Sequence, residues 1–191
     1  MNPTRTKVVI INGAPQSGKD TLVELATDYC NMEECANVLN LSSVDLIKDT
    51  LRGFGWDGNK TNDVRNIIAG IKKIWVFAQN GPTMYMMNNI LQFHMSHVGE
   101  DNIVFCHIRE SEEIDKLKNA ISGMDTMGID IMTLLVIRKN NYLDVDELSD
   151  SDNPRNIARY EYDHIIYNDS DLASYDYKVC EFIDKILEED K

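Results

Sequence analysis

The chain is acidic and has an ordinary globular composition. Its 191 residues are 43% hydrophobic and 27% charged, which favours one domain with a sizeable core. With 19 Lys and Arg against 32 Asp and Glu, the net charge is −13. This charge argues against nucleic-acid binding, and an anion site would have to be built from a few converging basic side chains.

The sequence gives no sign of a membrane or secreted protein. No segment is long and apolar enough to cross a bilayer, and the N-terminal stretch lacks a signal-peptide cleavage site. The four cysteines form no C-x-x-C pair, which disfavours zinc and thioredoxin-like chemistry. We therefore expect a cytoplasmic protein with reduced thiols and no membrane partner.

Strands and helices alternate in the first half of the chain. Ser43 and either Thr61 or Asn62 are the expected N-caps of two helices, and Pro82 is expected in the first turn of a third. Hydrophobic periodicity predicts strands over 7–13 and 37–43, and helices over 18–30, 43–53, 61–81 and 82–98.

The second half continues the alternation. It predicts strands over 102–107, 129–139 and 163–169, helices over 111–122 and 170–190, and a polar stretch over 140–162. This order is typical of an α/β fold in which a five-stranded parallel sheet carries helices on both faces. Ligands of such sheets bind at the carboxyl ends of the strands.

A glycine-rich loop follows the first predicted strand. Gly13, Gly18 and Lys19 match the phosphate-binding pattern G-x-x-x-x-G-K, between a strand and a helix as the mechanism requires. Backbone N–H groups of such a loop cradle phosphate oxygens, and the lysine reaches the outer phosphates. The candidate nucleotide-binding residues are Gly13, Ala14, Gln16, Ser17, Gly18, Lys19, Asp20 and Thr21.

Asp20 occupies the position where this pattern usually has a hydroxyl. Its carboxylate could ligate Mg²⁺, directly or through water. It could equally be an acidic residue stabilised by the dipole in the first turn of a helix. Thr21 offers a hydroxyl, although it points about 100° away around a helix. Both interpretations of Asp20 stay open.

Several segments together resemble the bacteriophage-type deoxynucleoside monophosphate kinases, which are P-loop nucleoside monophosphate kinases. The resemblance covers about residues 7–170. It rests on these segments in order: GxxxSGKDT, GWDGNKTNDVRNII, NGPTMY, IVFCHIRESEEI and SDSDNPRNIARYEYDHIIYND. The first two are the most specific, and in this family Asp20 is an ordinary variant.

The resemblance implies a P-loop kinase fold with a helical insertion that binds the monophosphate and a lid. The implied reaction transfers a phosphoryl group from ATP to a (deoxy)nucleoside monophosphate, with Mg²⁺ as cofactor. The implied single domain divides into a core (1–41, 100–138 and 161–191), an insertion (about 42–99) and a lid (about 139–160). Nucleotides are the expected partners, and the protein would be a monomer or a homodimer.

The resemblance also implies roles for basic residues near the strand ends. Lys19 and Mg²⁺ would hold the donor phosphates, while Arg65 and Arg109 would clamp the acceptor phosphate bidentately. For these two arginines, and also for Arg155 and Arg159, surface salt bridges are the alternative. Arg138, Arg155 and Arg159 would close on the transferring phosphoryl group and exclude water. Further candidates for the acceptor site are Ser42, Asp45, Lys48 and Glu113. The first three could equally have ordinary capping and surface roles. Asn168 is a candidate for the adenine pocket.

His107 departs from the family pattern. Members usually have Asp-x-Arg at the end of the third strand, whereas this chain has His107-Ile108-Arg109. Imidazole is not a hard oxygen ligand, so Asp20 could carry more of the interaction with magnesium-bound water.

Two other functions fit the same loop. One is a P-loop kinase for another small phosphorylated acceptor, of the phosphomevalonate or dephospho-coenzyme A type. The other is a nucleotide-binding module without turnover, which the missing carboxylate at His107 would favour.

Overall fold

Strands and helices alternate along most of the chain. The computed structural model describes residues 5–59, 61–123, 127–138, 157 and 160–188. The strands are β1 (Arg5–Asn12), β2 (Asn37–Ser42), β3 (Asp101–His107), β4 (Ile129–Ile137) and β5 (His164–Tyr167). The helices are α1 (Lys19–Glu33), α2 (Asp45–Gly53), α3 (Asn62–Gln79), α4 (Gly81–Ser96), α5 (Ser111–Ser122) and α6 (Leu172–Glu188).

The five strands form one parallel sheet in the order β2-β3-β1-β4-β5. The connection that leaves β1 passes over β3 to reach β2, whereas the connection that leaves β3 passes over β1 to reach β4. The carboxyl ends of β1 and β3 therefore flank the switch point at which open α/β sheets bind ligands. The predicted α/β architecture is confirmed.

Two apolar cores lie on opposite faces of the sheet. On β1, Val9 and Ile11 pack on the face covered by α1 and α6, and Val8 and Ile10 pack on the face covered by α4 and α5. Because both faces of the central strands are buried, their sequence is a continuous apolar run without polar alternation.

Three helices, α2, α3 and α4, occupy the connection between β2 and β3. Thr61 caps α3, since its hydroxyl accepts the N–H of Val64 at 3.3 Å. The prediction of Ser43 as the N-cap of α2 is wrong. That helix begins at Asp45, whose own carboxylate accepts the N–H of Ser42 at 2.6 Å.

The junction of α3 and α4 is tight. A Cβ on Gly81 would lie 1.7 Å from Nε1 of Trp75, so the indole packs directly on the glycine backbone. Pro82 lies in the first turn of α4, as predicted. The division into core, insertion and lid stays a prediction, and residues 139–156 of the lid lie outside the described residues. Within the described residues, no helix is both long and apolar enough to span a membrane.

Candidate active site

The loop over residues 13–18 joins β1 to α1 at the switch point. A Cβ on Gly13, which has a φ of +149°, would lie 2.4 Å from the carbonyl oxygen of Val136. A Cβ on Gly18, which has a φ of +100°, would lie 2.2 Å from Nδ2 of Asn168. Gly13 needs glycine because a backbone carbonyl leaves no room for a Cβ, and Gly18 needs it because its positive φ disfavours any L side chain.

Two side chains from the C-terminal part of the chain hold this loop. The side-chain amide of Asn168 donates a hydrogen bond to the carbonyl oxygen of Ser17 at 2.9 Å. The hydroxyl of Tyr175 donates one to the carbonyl oxygen of Gly18 at 3.1 Å. Burial raises the pKa of Tyr175, which keeps the hydroxyl protonated and available as a donor. The side chain of Asn168 is thus engaged by the loop, and its contact with adenine stays a prediction.

Asn12, the last residue of β1, connects the loop to two other segments. Its side-chain oxygen accepts the N–H of Gly13 at 2.7 Å. Its Nδ2 donates to the carbonyl oxygen of Arg109 at 3.0 Å and to the hydroxyl oxygen of Tyr162 at 2.8 Å. Sequence reasoning missed Asn12, although a polar residue that ends a buried apolar strand was a usable signal.

The ammonium group of Lys19 lies over the loop. Its Nζ donates to the carbonyl oxygens of Gly13 at 2.6 Å and Ala14 at 2.8 Å. A phosphate group bound by the loop would offer this ammonium a charged acceptor in place of two neutral carbonyls. Asp20 follows in the first turn of α1 with an exposed carboxylate, and Thr21 is half-buried beside it.

His107 ends β3 and lies between the two neighbouring strands, in register with Ile11 of β1 and Ser42 of β2. Its Nε2 is shielded from solvent and has no hydrogen-bond partner within the described residues. Burial lowers the pKa of His107 from its ordinary value to about 4. The charge of Asp20 opposes this shift, and that of Lys19 adds to it. The imidazole is therefore neutral at pH 7 and can form a further hydrogen bond.

The end of β2 supplies a second group of charges around the same imidazole. Asp45 accepts the N–H of Ser42 and pairs with Lys48, whose Nζ lies 2.9 Å from the carboxylate. The charges of both residues act on the pKa of His107, in opposite directions. Ser42, Asp45 and Lys48 thus lie at the carboxyl edge of the sheet, as predicted. Their binding of an acceptor stays a prediction.

The predicted arginines are placed around this edge. Arg65 lies in the first turn of α3, Arg109 lies two residues past β3, and Arg138 directly follows β4; all three are exposed. Arg155 and Arg159 lie outside the described residues. The clamping of phosphate by these five side chains stays a prediction.

Glu113 is more enclosed than an acceptor ligand needs to be. Its side chain is buried, accepts the hydroxyl of Thr83 at 3.4 Å, and pairs with Lys116 at 2.7 Å. The contact with Thr83 joins α4 to α5, and the pair with Lys116 lies within α5; substrate binding by Glu113 would require these contacts to break. That role stays a prediction.

An ion pair that the sequence did not reveal ties α3 to the edge of the sheet. Lys72 of α3 is buried and pairs with Glu110, the residue after Arg109. Sequence reasoning missed this contact because the two residues are 38 positions apart and nothing in their local pattern links them.

Magnesium fits this site only if the nucleotide supplies ligands. Within the described residues, no three His, Cys, Asp or Glu side chains gather into a metal cluster. The exposed carboxylate of Asp20 and the hydroxyl of Thr21 are hard oxygen donors at the loop. Mg²⁺ is commonly held by one or two such groups together with phosphate oxygens and water.

Comparison with known proteins identifies the fold. No family model matches the chain, and no curated protein matches it. Among solved structures, APS kinase of Mycobacterium tuberculosis, in complex with AMPPNP and APS, has a TM-score of 0.54 at 15% identity. The match covers 96% of this chain and 99% of that one.

Two further solved structures are similar over nearly their whole length. The tunicamycin resistance protein of Deinococcus radiodurans has a TM-score of 0.53 at 14% identity, covering 96% of both chains. Thymidylate kinase of Ehrlichia chaffeensis has a TM-score of 0.52 at 13% identity, and the match covers 96% of this chain and 100% of that one. The chain therefore has the fold of the P-loop kinases.

Proposed function

We propose that the protein transfers the γ-phosphoryl group of ATP to the phosphate of a (deoxy)nucleoside monophosphate. The carrying observation is geometric. His107 lies in register between Ile11 of β1, the strand that leads into the loop and Lys19, and Ser42 of β2, the strand that leads into Asp45 and Lys48. Two phosphorylated ligands bound to these sides would meet near one point, as in-line transfer requires.

The glycine-rich loop would bind the phosphoryl donor, ATP. Its backbone N–H groups and the N-terminus of α1 would hold the phosphates of ATP, and Lys19 would neutralise the outer ones. Mg²⁺, held by phosphate oxygens with Asp20 through water, would supply further charge neutralisation. The AMPPNP complex of APS kinase, which has the same fold, supports ATP as the donor.

The acceptor would bind on the opposite side of the carboxyl edge of the sheet. Arg65 and Arg109 would clamp the acceptor phosphate, whose oxygen attacks the γ-phosphorus while the bond to the β-phosphate oxygen breaks and ADP leaves. Arg138, Arg155 and Arg159 would stabilise the charge of the transferring group. The neutral imidazole of His107 would hydrogen-bond the acceptor where the family that the sequence resembles usually has a carboxylate.

A second class of acceptor has its own support. The chain is as similar to APS kinase and the tunicamycin resistance protein as it is to thymidylate kinase. Another small phosphorylated acceptor is therefore the competing proposal.

The test is an ADP-release assay over a panel of nucleoside and deoxynucleoside monophosphates, phosphomevalonate and dephospho-coenzyme A. We expect turnover with at least one nucleoside monophosphate, and a loss of about a hundredfold or more in Lys19→Ala. The matched control is Lys185→Ala, which removes an exposed lysine of α6 and should retain full activity.

Three outcomes would decide against the proposal. Turnover of another acceptor alone would reject a nucleoside monophosphate kinase in favour of the second class. ATP binding without turnover of any acceptor would favour a nucleotide-binding module. Absence of ATP binding by calorimetry would reject the phosphate-loop interpretation itself.

A further inference from the structure

Asn12 is a buried residue whose side-chain amide is engaged at both ends. The residue is 1% exposed. Its Oδ1 accepts the N–H of Gly13, while its Nδ2 donates to the carbonyl oxygen of Arg109 and to the hydroxyl oxygen of Tyr162. Because Gly13 presents a donor and Arg109 an acceptor, only one orientation of the amide satisfies both. A flip of the amide would break both contacts, so the three segments share a single arrangement.

The side chain of Asn12 continues the strand pairing beyond the point where the backbones separate. The ladder between β1 and β3 ends at Ile11 and His107, whereas the ladder between β1 and β4 runs one residue further, to Asn12 and Leu135. Past His107, the side-chain bond from Asn12 to Arg109 takes the place of a backbone bond. The end of β1 is therefore joined to β4 by its backbone and to the segment after β3 by its amide.

The peptide group of Gly13 is held from two sides. Asn12 accepts its N–H at 2.7 Å, and Nζ of Lys19 donates to its carbonyl oxygen at 2.6 Å. Phosphate bound in the loop would draw the ammonium of Lys19 towards a charged acceptor. Of these two bonds, the one to Asn12 does not depend on Lys19, so it would still hold the occupied loop.

We propose that Asn12 is a positioning residue for phosphoryl transfer, which fixes the occupied donor loop relative to Arg109 and Tyr162. This inference rests on the proposed function, because that function assigns the donor phosphates to the loop and the acceptor phosphate to Arg109. A displacement of about 1 Å between reacting groups can cost about a hundredfold in rate. The amide acts through its neighbours: it sets the distance between the two phosphate-binding groups and contacts neither ligand itself.

Hydrogen exchange with AMPPNP and Mg²⁺ tests the link without any acceptor. In the wild type we expect the nucleotide to slow exchange over residues 13–22, 108–114 and 160–166, which all lie within the described ranges. Asn12→Asp keeps an acceptor for the N–H of Gly13 and loses both donations. It should retain the protection of the loop and exchange about fivefold faster than the wild type over the other two segments. Tyr162→Phe should lose protection over 160–166 only.

Asn102→Ala is the matched control, because it removes a buried amide from the amino edge of the sheet. Asn102 is 0% exposed; it donates to the carbonyl oxygen of Glu100 and accepts from Asn37, both at 3.2 Å. This variant should lower the stability to urea while leaving the AMPPNP-dependent protection unchanged. The control separates a link between the segments from a general loss of stability, and urea unfolding verifies that every variant is folded.

Kinetics give a second measurement, with whichever acceptor the assay panel identifies. Asn12→Ala should lower kcat by about tenfold to a hundredfold, because the reacting groups are no longer held in register. Its dissociation constant for AMPPNP, measured by calorimetry, should change by no more than about threefold, since the loop retains its phosphate-binding groups. Asn102→Ala should leave both quantities unchanged.

Four outcomes would overturn this inference. They are wild-type protection over 108–114 in Asn12→Asp, an equal loss of kcat and AMPPNP affinity in Asn12→Ala, the same losses in Asn102→Ala, and no protection beyond the loop in the wild type. Absence of turnover with every acceptor would instead reject the proposed function, and the exchange measurement would then decide the role of Asn12 by itself.

Discussion

His107 shows how the environment of a single residue sets its chemistry. The imidazole ends a central strand, where Ile11 and Ser42 flank it and its Nε2 is shielded from water. Burial lowers its pKa to about 4, despite the opposing charge of Asp20. The residue that replaces the carboxylate of the resembling family is thus neutral, and it can hydrogen-bond a ligand but not balance a cation.

This environment predicts a pH-dependent contribution to stability. The unfolded chain protonates His107 below about pH 6.5, whereas the fold keeps it neutral to about pH 4. The contribution of the neutral imidazole to the free energy of unfolding is therefore fully present above pH 6.5 and is lost as the pH falls to about 4. We expect the free energy of unfolding of the wild type to fall by up to about 3 kcal/mol more than that of His107→Gln between these limits.

Urea unfolding at a series of pH values, without nucleotide or magnesium, measures this difference. Other titrating groups are common to both proteins and cancel in the comparison. Parallel pH profiles for the wild type and His107→Gln would contradict the buried, neutral imidazole.

At the scale of elements, one ion pair fastens α3 to the segment that follows β3. Lys72 on α3 has a side chain that is 9% exposed, whereas its partner Glu110 is 36% exposed. Without the ion pair, the charge of Lys72 would therefore be buried and unpaired, whereas water could still solvate the charge of Glu110. Because Glu110 follows Arg109 directly, the same contact helps to set where the segment after β3 lies relative to α3.

The unequal burial predicts unequal effects of the two substitutions. Glu110→Gln leaves a buried, unpaired ammonium and should cost about 2 kcal/mol of stability. Lys72→Met leaves a half-exposed carboxylate that water can solvate, and should cost less than about 1 kcal/mol. Urea unfolding measures both, with Lys73→Met on the exposed side of α3 as control. Equal losses, or a larger loss in Lys72→Met, would show that the pair does not hold Lys72 in this way.

At the scale of the whole molecule, the negative charge makes anion binding a local property. A chain with a net charge of −13 would bind ATP only where the loop N–H groups and Lys19 outweigh the general repulsion. Binding to the folded state alone should then stabilise the whole domain by mass action.

We expect ATP at about a hundred times its dissociation constant to raise the stability by roughly 2.7 kcal/mol, and the melting temperature by about 5–10 °C. Lys19→Ala should lose most of this rise at the same ATP concentration, and Lys185→Ala should retain it. Differential scanning calorimetry measures the shift. A full shift in Lys19→Ala would show that ATP stabilises the protein from another site.

The elements of this protein could be predicted because their signals are local. The apolar run of β1, the glycines of the loop and the cap at Thr61 each depend on residues within a few positions of one another. The α/β class and the phosphate loop followed from that information alone. The prediction of Ser43 as a cap failed because α2 begins two residues later, at Asp45, whose carboxylate accepts the N–H of Ser42 at the end of β2.

The sequence by itself therefore determined the alternating strands and helices, the glycine-rich loop between β1 and α1, and the edge of the sheet at which we place the candidate site. Tertiary structure alone decided that Asn12 bridges β1 to Arg109 and Tyr162, and that Asn168 supports the loop. The partners in these contacts are 97 to 151 positions apart. The strand order brings them together, and only that order decides which buried polar groups find hydrogen-bond partners.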